Sequence, residues 1–287
     1  MMRFHPTKLS ALALLLTPLA ITGLAGCLAE ADMNQDDGAD IDPLIGDFVD
    51  TYEGEENVLL ADPDAPDEGF QPLAAATVGS IARTACTTAG TRGLSLQMLG
   101  EVQCLRPGTL ARIDNIPGVT LSSAALPRLN ASAASRLRTA AASGALSLSS
   151  ATRSTAQQFV LYYWYTHRRC TSVVKLAAKP GRSNHESGVA IDVPAYSSAR
   201  TRLGNNGFRW LGSSDPVHFD YVGSGAVDIR SLMVKAFQRL WNRNHPTDRI
   251  AEDGAWGPQT SARMDKSPAA GFARGAACAA LTSLEAE

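Results

Sequence analysis

The chain has 287 residues, 45% of them hydrophobic and 6% aromatic, with a formal net charge of -2 at pH 7. That length buries a substantial core and fits one principal domain with a smaller addition, which excludes a wholly unstructured polymer. The near-neutral total hides a split: residues 28–70 hold 15 of the 28 acidic residues and no Lys or Arg, whereas residues 71–287 hold 24 basic and 13 acidic, a net of +11.

The chain opens with Arg3 and Lys8 ahead of an apolar run from Leu9 to Leu24, too short and too early for a membrane span. The run ends in Leu24-Ala25-Gly26-Cys27. This resembles the bacterial lipoprotein signal, which implies a signal peptide over residues 1–27, lipidation of Cys27 and export to the cell envelope. Leu28 rather than aspartate after the cysteine leans the expectation towards the outer membrane. Residues 28–70, rich in Asp, Gly and Pro, repel themselves and bury little, so they are expected to form an acidic, solvated tether. The basic remainder does not interleave aromatics with its charges, so no nucleic-acid partner is expected. For an exported protein an anionic cell-wall polymer is the better counterpart.

Beyond Cys27 the cysteines number four: Cys86, Cys104, Cys170 and Cys278. An even number outside the cytosol reads as two disulfides. Three pairings are possible, and proximity in sequence favours Cys86 with Cys104 and Cys170 with Cys278.

Between these cysteines the apolar pattern predicts an alanine-rich helix over 131–142 and a strand beginning at Leu146. An amphipathic helix follows over 154–166, where Phe159, Val160, Tyr163 and Trp164 recur at helical spacing. Val189 to Val193 and Val217 to Val222 read as buried strands. Strands and helices mix without regular alternation, so the expected fold is α+β, with a small mixed or antiparallel sheet flanked by helices. A peptidase-like domain is expected over 71–223 and a small helical module over 224–287.

The chemistry concentrates in Ser183-Asn-His-Glu-Ser-Gly-Val-Ala-Ile-Asp192 and Asp215-Pro-Val-His218. Two histidines and a carboxylate suit a catalytic zinc site with three protein ligands and an open fourth position. His185, Asp192 and His218 are the expected ligands, and Asp215, three residues before His218, the expected general base. His-Glu-x-x-His is excluded because Val occupies position 189.

Ser183-x-His185-x-x-Gly188-x-Ala190-x-Asp192 followed by a carboxylate-x-x-His218 resembles the zinc D-Ala-D-Ala carboxypeptidases. That family includes vancomycin-resistance dipeptidases and endolysins that cut between L-Ala and D-Glu. Ser149-Ser-Ala-Thr-Arg153-Ser154 resembles the family's Ser-x-x-Arg-Ser stretch before a helix. The resemblance implies a hedgehog/D,D-peptidase-like fold, Zn2+ as cofactor and peptidoglycan stem peptides as substrate. It also implies that Arg153 grips the scissile carbonyl or a substrate carboxylate, with Ser183 and Gln157 as further substrate-binding residues. Many members carry Glu where this chain has Asp215, which leaves open D-Ala-D-Ala or L-Ala-D-Glu cleavage and a binding-only relative.

Phe237-Gln-Arg-Leu240-Trp241-Asn242 with Asp253-Gly-Ala-Trp256-Gly-Pro258 resembles the helical peptidoglycan-binding repeat. The alternative is a helical cap pinned on the catalytic domain by Cys278, with Trp241 and Trp256 as core aromatics. Ser172-Val-Val-Lys175 fits Ser-x-x-Lys of serine peptidases, but no Lys-Thr-Gly or Lys-Ser-Gly completes such a site. A monomer is expected.

Overall fold

The computed structural model describes residues 76–278. Its helices begin where short-range chemistry favours them. Thr77 and Ser80 cap each other at the start of α1 (Val78–Thr84), and α2 (Arg92–Leu105) follows a single 3-10 turn. The Asn130 side chain accepts the amides of Ser132 and Ala133 to open α3 (Ala131–Ala141). Ser154 and Gln157 form a second capping box at α4 (Thr155–Thr166). After α5 (Tyr196–Gly204) and α6 (Arg230–Asn244), α7 (Pro258–Lys266) carries Pro in its first turn, where the missing N–H has no helical partner to lose.

The strands are three or four residues long: β1 (Leu110–Arg112), β2 (Val119–Leu121), β3 (Arg128–Asn130), β4 (Leu146–Leu148), β5 (Ala190–Asp192), β6 (Phe208–Trp210) and β7 (His218–Tyr221). β1 pairs antiparallel with β3, β2 pairs parallel with β4, and β5-β7-β6 form an antiparallel sheet of three. The α+β expectation thus stands at the level of a small open sheet flanked by helices. β1, β2, β3 and β6 carry too few residues for alternation to have marked them beforehand.

Two apolar clusters organise the described chain. One packs Ile191, Phe208, Phe219 and Tyr221 from one face of the three-stranded sheet against Leu129, Leu137, Leu146 and Leu203. Side chains alternate along a strand, so the opposite face is left to Asp192, His218 and Asp220. The second cluster is helical. It joins Val78, Leu94, Met98 and Val102 to Val160 and Trp164, and these in turn to Met233, Phe237, Leu240 and Met264. Residues from 224 onward, expected as a separate module, therefore share one core with α1, α2 and α4. Thr77 bridges Pro268, and the Val78 amide donates to the Ser267 carbonyl at 2.9 Å, so α7 closes against the first described helix. Trp241 is 3% exposed and belongs to this core, and the partly buried Trp256 packs against it on Phe159 with ring centroids 6.1 Å apart.

The disulfides differ from the expectation. Cys86 bonds Cys170 and Cys104 bonds Cys278. Sequence proximity misled because α2 intervenes: at about 1.5 Å per residue it carries Cys104 about 18 Å from the helix start. A disulfide needs its Cα atoms within about 7 Å. The tail is tied to α2, where buried Glu101 also accepts Arg239 Nε at 2.6 Å and the Ala277 amide at 2.7 Å. No helix among the described residues is long and apolar enough to cross a membrane. The expected signal peptide, Cys27 and the acidic tether lie outside the described residues.

Candidate metal centre

The ligand-bearing segments are positioned by turn and sheet geometry. Ser183 caps a 3-10 turn over Asn184–Ser187: its hydroxyl accepts the His185 amide, and the Glu186 carboxylate returns to the Ser183 amide. Gly188 ends the turn at φ 74°, and a Cβ there would lie 3.0 Å from Leu110 Cδ2, so backbone sign and space both call for glycine. The chain then enters β5, where Asp192 stands directly opposite His218 of β7. Residues opposite one another in an antiparallel pair share a face, so the second and third groups meet through register alone.

The three groups converge at bonding distance. His185 Nε2 lies 3.2 Å from His218 Nδ1 and 3.3 Å from Asp192 Oδ2, and His218 Nδ1 lies 3.3 Å from Asp192 Oδ1. Tetrahedral zinc with ligands at about 2.0–2.1 Å has ligand–ligand edges of about 3.3–3.4 Å, and each histidine nitrogen lies at about that distance from the other and from one of the two Asp192 oxygens. His185 and Asp192 are fully buried and His218 is 3% exposed.

The outer nitrogens of both rings set the tautomers. The Ala151 carbonyl lies 2.7 Å from His185 Nδ1 and can only accept, so that nitrogen carries the proton and Nε2 presents a lone pair inward. Asp220 Oδ1 lies 2.9 Å from His218 Nε2 and does the same for the second ring. Two lone pairs and a buried carboxylate without a well-formed hydrogen bond then face one another. That arrangement repels itself unless a cation or a proton lies between, and its all-nitrogen-and-oxygen donor set suits zinc.

The electrostatics agree. Burial pushes the Asp192 carboxyl up, but the His185 and His218 rings outweigh it and hold the group well below the usual carboxylate range. Burial likewise works against a charged His218, yet Asp192 and Asp220 raise it well above the ordinary imidazole value. Asp220, lowered in spite of its burial by His218 and Arg209, stays ionised as the outer partner. Glu186 is the exception: burial lifts it to about 7 against the pull of the Gly181 and Ser183 amides. It ties the turn together from behind rather than facing the ligands, since its Oε2 accepts the Gly181 amide at 2.8 Å.

Asp215 is fully buried, with Oδ2 3.9 Å from His218 Nδ1, beside the ligand set. Arg153, 5% exposed, reaches within 3.8 Å of Asp192 Oδ2 while donating to Gln158 Oε1 at 3.0 Å and Ser150 Oγ at 3.2 Å. The structure thus gathers His185, Asp192, His218, Asp215 and Arg153 into one place. Gln157, expected to touch substrate, is committed elsewhere: its amide donates to the Ala124 carbonyl at 2.8 Å, and its oxygen accepts the Ser154 amide. Gln158, one residue on, holds Arg153 instead, because a helix turns successive side chains about 100° apart. Ser183 acts on the ligand turn as its cap. Asp220 and Ser150 were not anticipated. His218-Phe-Asp220 carries the signal for Asp220, since residues two apart on a strand share a face.

Residues 125–223 match the family described as VanY, D-alanyl-D-alanine carboxypeptidase. That stretch contains all five clustered residues and ends where α6 has yet to begin. The chain therefore carries a VanY-family domain over those residues. No curated protein and no solved structure matches the chain.

Proposed function

We propose that the protein is a zinc-dependent peptidase of peptidoglycan stem peptides, acting as a D-alanyl-D-alanine carboxypeptidase. The observation that carries the reading is the buried convergence of the His185, Asp192 and His218 donors within 4.8 Å of one another, inside the VanY-matched stretch.

In this reading His185, Asp192 and His218 hold Zn2+. When bound, the ion lowers the pKa of a water to about 7 and polarises the scissile carbonyl. The chain's own groups do the rest. Asp215, buried beside the ligand set, takes the proton from the attacking water and later delivers it to the leaving amine. Arg153, held rigid by Gln158 and Ser150, meets the charge that develops on the carbonyl oxygen or grips the terminal carboxylate of the substrate. Asp220 and the Ala151 carbonyl keep both imidazoles in the ligand tautomer. Export and a lipid anchor at Cys27 would place this chemistry in the envelope.

One feature favours a second reading. Aspartate at position 215 is shorter than glutamate by a methylene, as in some endolysin-like members of the family the sequence resembles, so L-Ala-D-Glu cleavage is the alternative.

The test is mass spectrometry of muropeptides incubated with the purified protein. Loss of a single D-Ala is the expected result, abolished by a zinc chelator and restored by Zn2+. Release of a larger stem fragment would move the assignment to the endopeptidase. Unchanged muropeptides with retained wall affinity would replace both by a non-catalytic binder.

A further inference from the structure

Resting on the peptidase reading, we propose that Arg209 is a substrate-binding residue. It receives a side carboxylate of the stem peptide on the far side of the ligand set from Arg153.

Sheet register places it. Arg209 stands opposite Asp220 in the β6–β7 pairing, as Asp192 stands opposite His218 in β5–β7. Arg209, Asp220, His218 and Asp192 therefore occupy one face of the sheet, the face turned away from the apolar core. β6 is the edge strand on one side. On the other side of β5 the Ser150–Arg153 segment joins through a bridge from Ser150 to Asp192. The order across this face is Arg153, Asp192, His218, Asp220, Arg209: two guanidiniums bracket the donors.

The two arginines are in different states. Arg153 is enclosed and hydrogen-bonded, whereas the Arg209 side chain is 58% exposed. Its nearest carboxylate oxygen, Asp220 Oδ2, is 3.8 Å away, too long for a hydrogen bond. Asp220 Oδ1 is already engaged by His218 Nε2 at 2.9 Å and by the Asn184 amide at 3.1 Å. Asp220 thus sits beside the guanidinium on the ligand face without hydrogen-bonding it. Asp220 is buried and keeps its His218 and Asn184 partners, while the Arg209 end of the pair is open to solvent, so the guanidinium can take an incoming carboxylate without leaving Asp220 unpaired. A planar fork of N–H groups at a sheet edge suits bidentate capture of a carboxylate. Stem peptides supply one: a γ-linked D-glutamate leaves its α-carboxyl free, and a diaminopimelate leaves its second carboxyl free. A substrate that only presented a terminal dipeptide to Arg153 would have no use for this second cation.

The experiment compares two synthetic stem pentapeptides, one with free side carboxylates and one with those groups amidated, both keeping the terminal carboxylate. Zinc-loaded wild type is expected to favour the free form by about tenfold in kcat/KM, mostly through KM, as loss of one exposed charge-assisted contact implies. Arg209→Gln should remove the preference with zinc content unchanged, and Arg209→Lys should keep part of it. Equal cleavage of both peptides by wild type, or a preference that survives in Arg209→Gln, would overturn the role of Arg209 and leave the peptidase reading intact. Cleavage of neither peptide by wild type would overturn both.

Discussion

Asp192 and His218 face each other across the β5–β7 register with Oδ1 and Nδ1 3.3 Å apart, and Asp220 holds the far side of the same ring at 2.9 Å. One imidazole thus lies between two carboxylates on a single sheet face. In the proposed reading the inner one is a metal ligand and the outer one an orienting partner.

Removing the outer partner should weaken metal binding without abolishing it. Asp220→Ala leaves His218 free to place its proton on Nδ1, the nitrogen that must stay bare. An affinity loss of about 10- to 100-fold is expected, measured by competition with a chromogenic zinc chelator. Asp220→Asn, whose amide oxygen still accepts from Nε2, should lose less. Equal affinity in wild type and Asp220→Ala would show that the ring is held by packing alone.

Asp215 should separate chemistry from metal binding. It is 3.9 Å from His218 Nδ1 and outside the set of mutually close donors, so Asp215→Ala should keep its zinc by elemental analysis. Turnover should fall by about 10²- to 10⁴-fold, the usual worth of a positioned acid–base group. Retained turnover in that variant would assign the proton transfer to another residue.

Proton and metal should compete for His218. In the metal-free protein Asp192 and Asp220 raise this imidazole well above its ordinary value, in spite of burial. Its contribution to stability is fully present below the unfolded pKa of about 6.5 and is lost as pH rises through the raised folded value. Zinc binds only the deprotonated nitrogen, so uptake releases a proton and affinity rises with pH. The zinc-induced gain in Tm should therefore grow between about pH 6 and pH 8. A pH-independent gain would place the protonation elsewhere.

The C-terminal helices should prove inseparable from the metal centre. α6 and α7 share the core of α1, α2 and α4, and Arg230 Nη1 donates to the Arg182 carbonyl, beside the His185 turn, at 3.2 Å. Gly181 lies against Val234 and Trp256, bracing the same turn. Phe237, fully buried, should cost about 3–5 kcal/mol when replaced by Ala, read from denaturant unfolding. A chain truncated after Gly223 should neither fold cooperatively nor bind zinc. Cooperative unfolding with unchanged zinc affinity in that truncated chain would make the helical part an appended module after all.

The boundary between local and long-range information runs through the site itself. Helical composition and spacing act over three or four positions, so α3 was readable from its alanines and α4 from the recurrence of Phe159, Val160, Tyr163 and Trp164; the caps at Asn130, Ser154 and Ser183 appear in the structure. Alternation acts over two positions, which made β5 and β7 readable and put Asp220 within reach of the same logic. Gln157 and Gln158 show the limit: both lie in one helical turn, and only the packing of Ala124 on one side and Arg153 on the other assigns their tasks.

By itself the amino-acid sequence determined the residue types that can hold a metal, the turn and strands that carry them, and the mixed α+β class. Each rests on interactions between near neighbours in the chain. The tertiary structure alone decided the rest: Cys86 with Cys170 and Cys104 with Cys278, one helical core shared by the two ends of the described chain, and the register that sets Asp192 against His218 and Arg209 against Asp220. Those depend on which distant surfaces bury each other, and spacing along a chain does not encode the distance that a helix such as α2 puts between its ends.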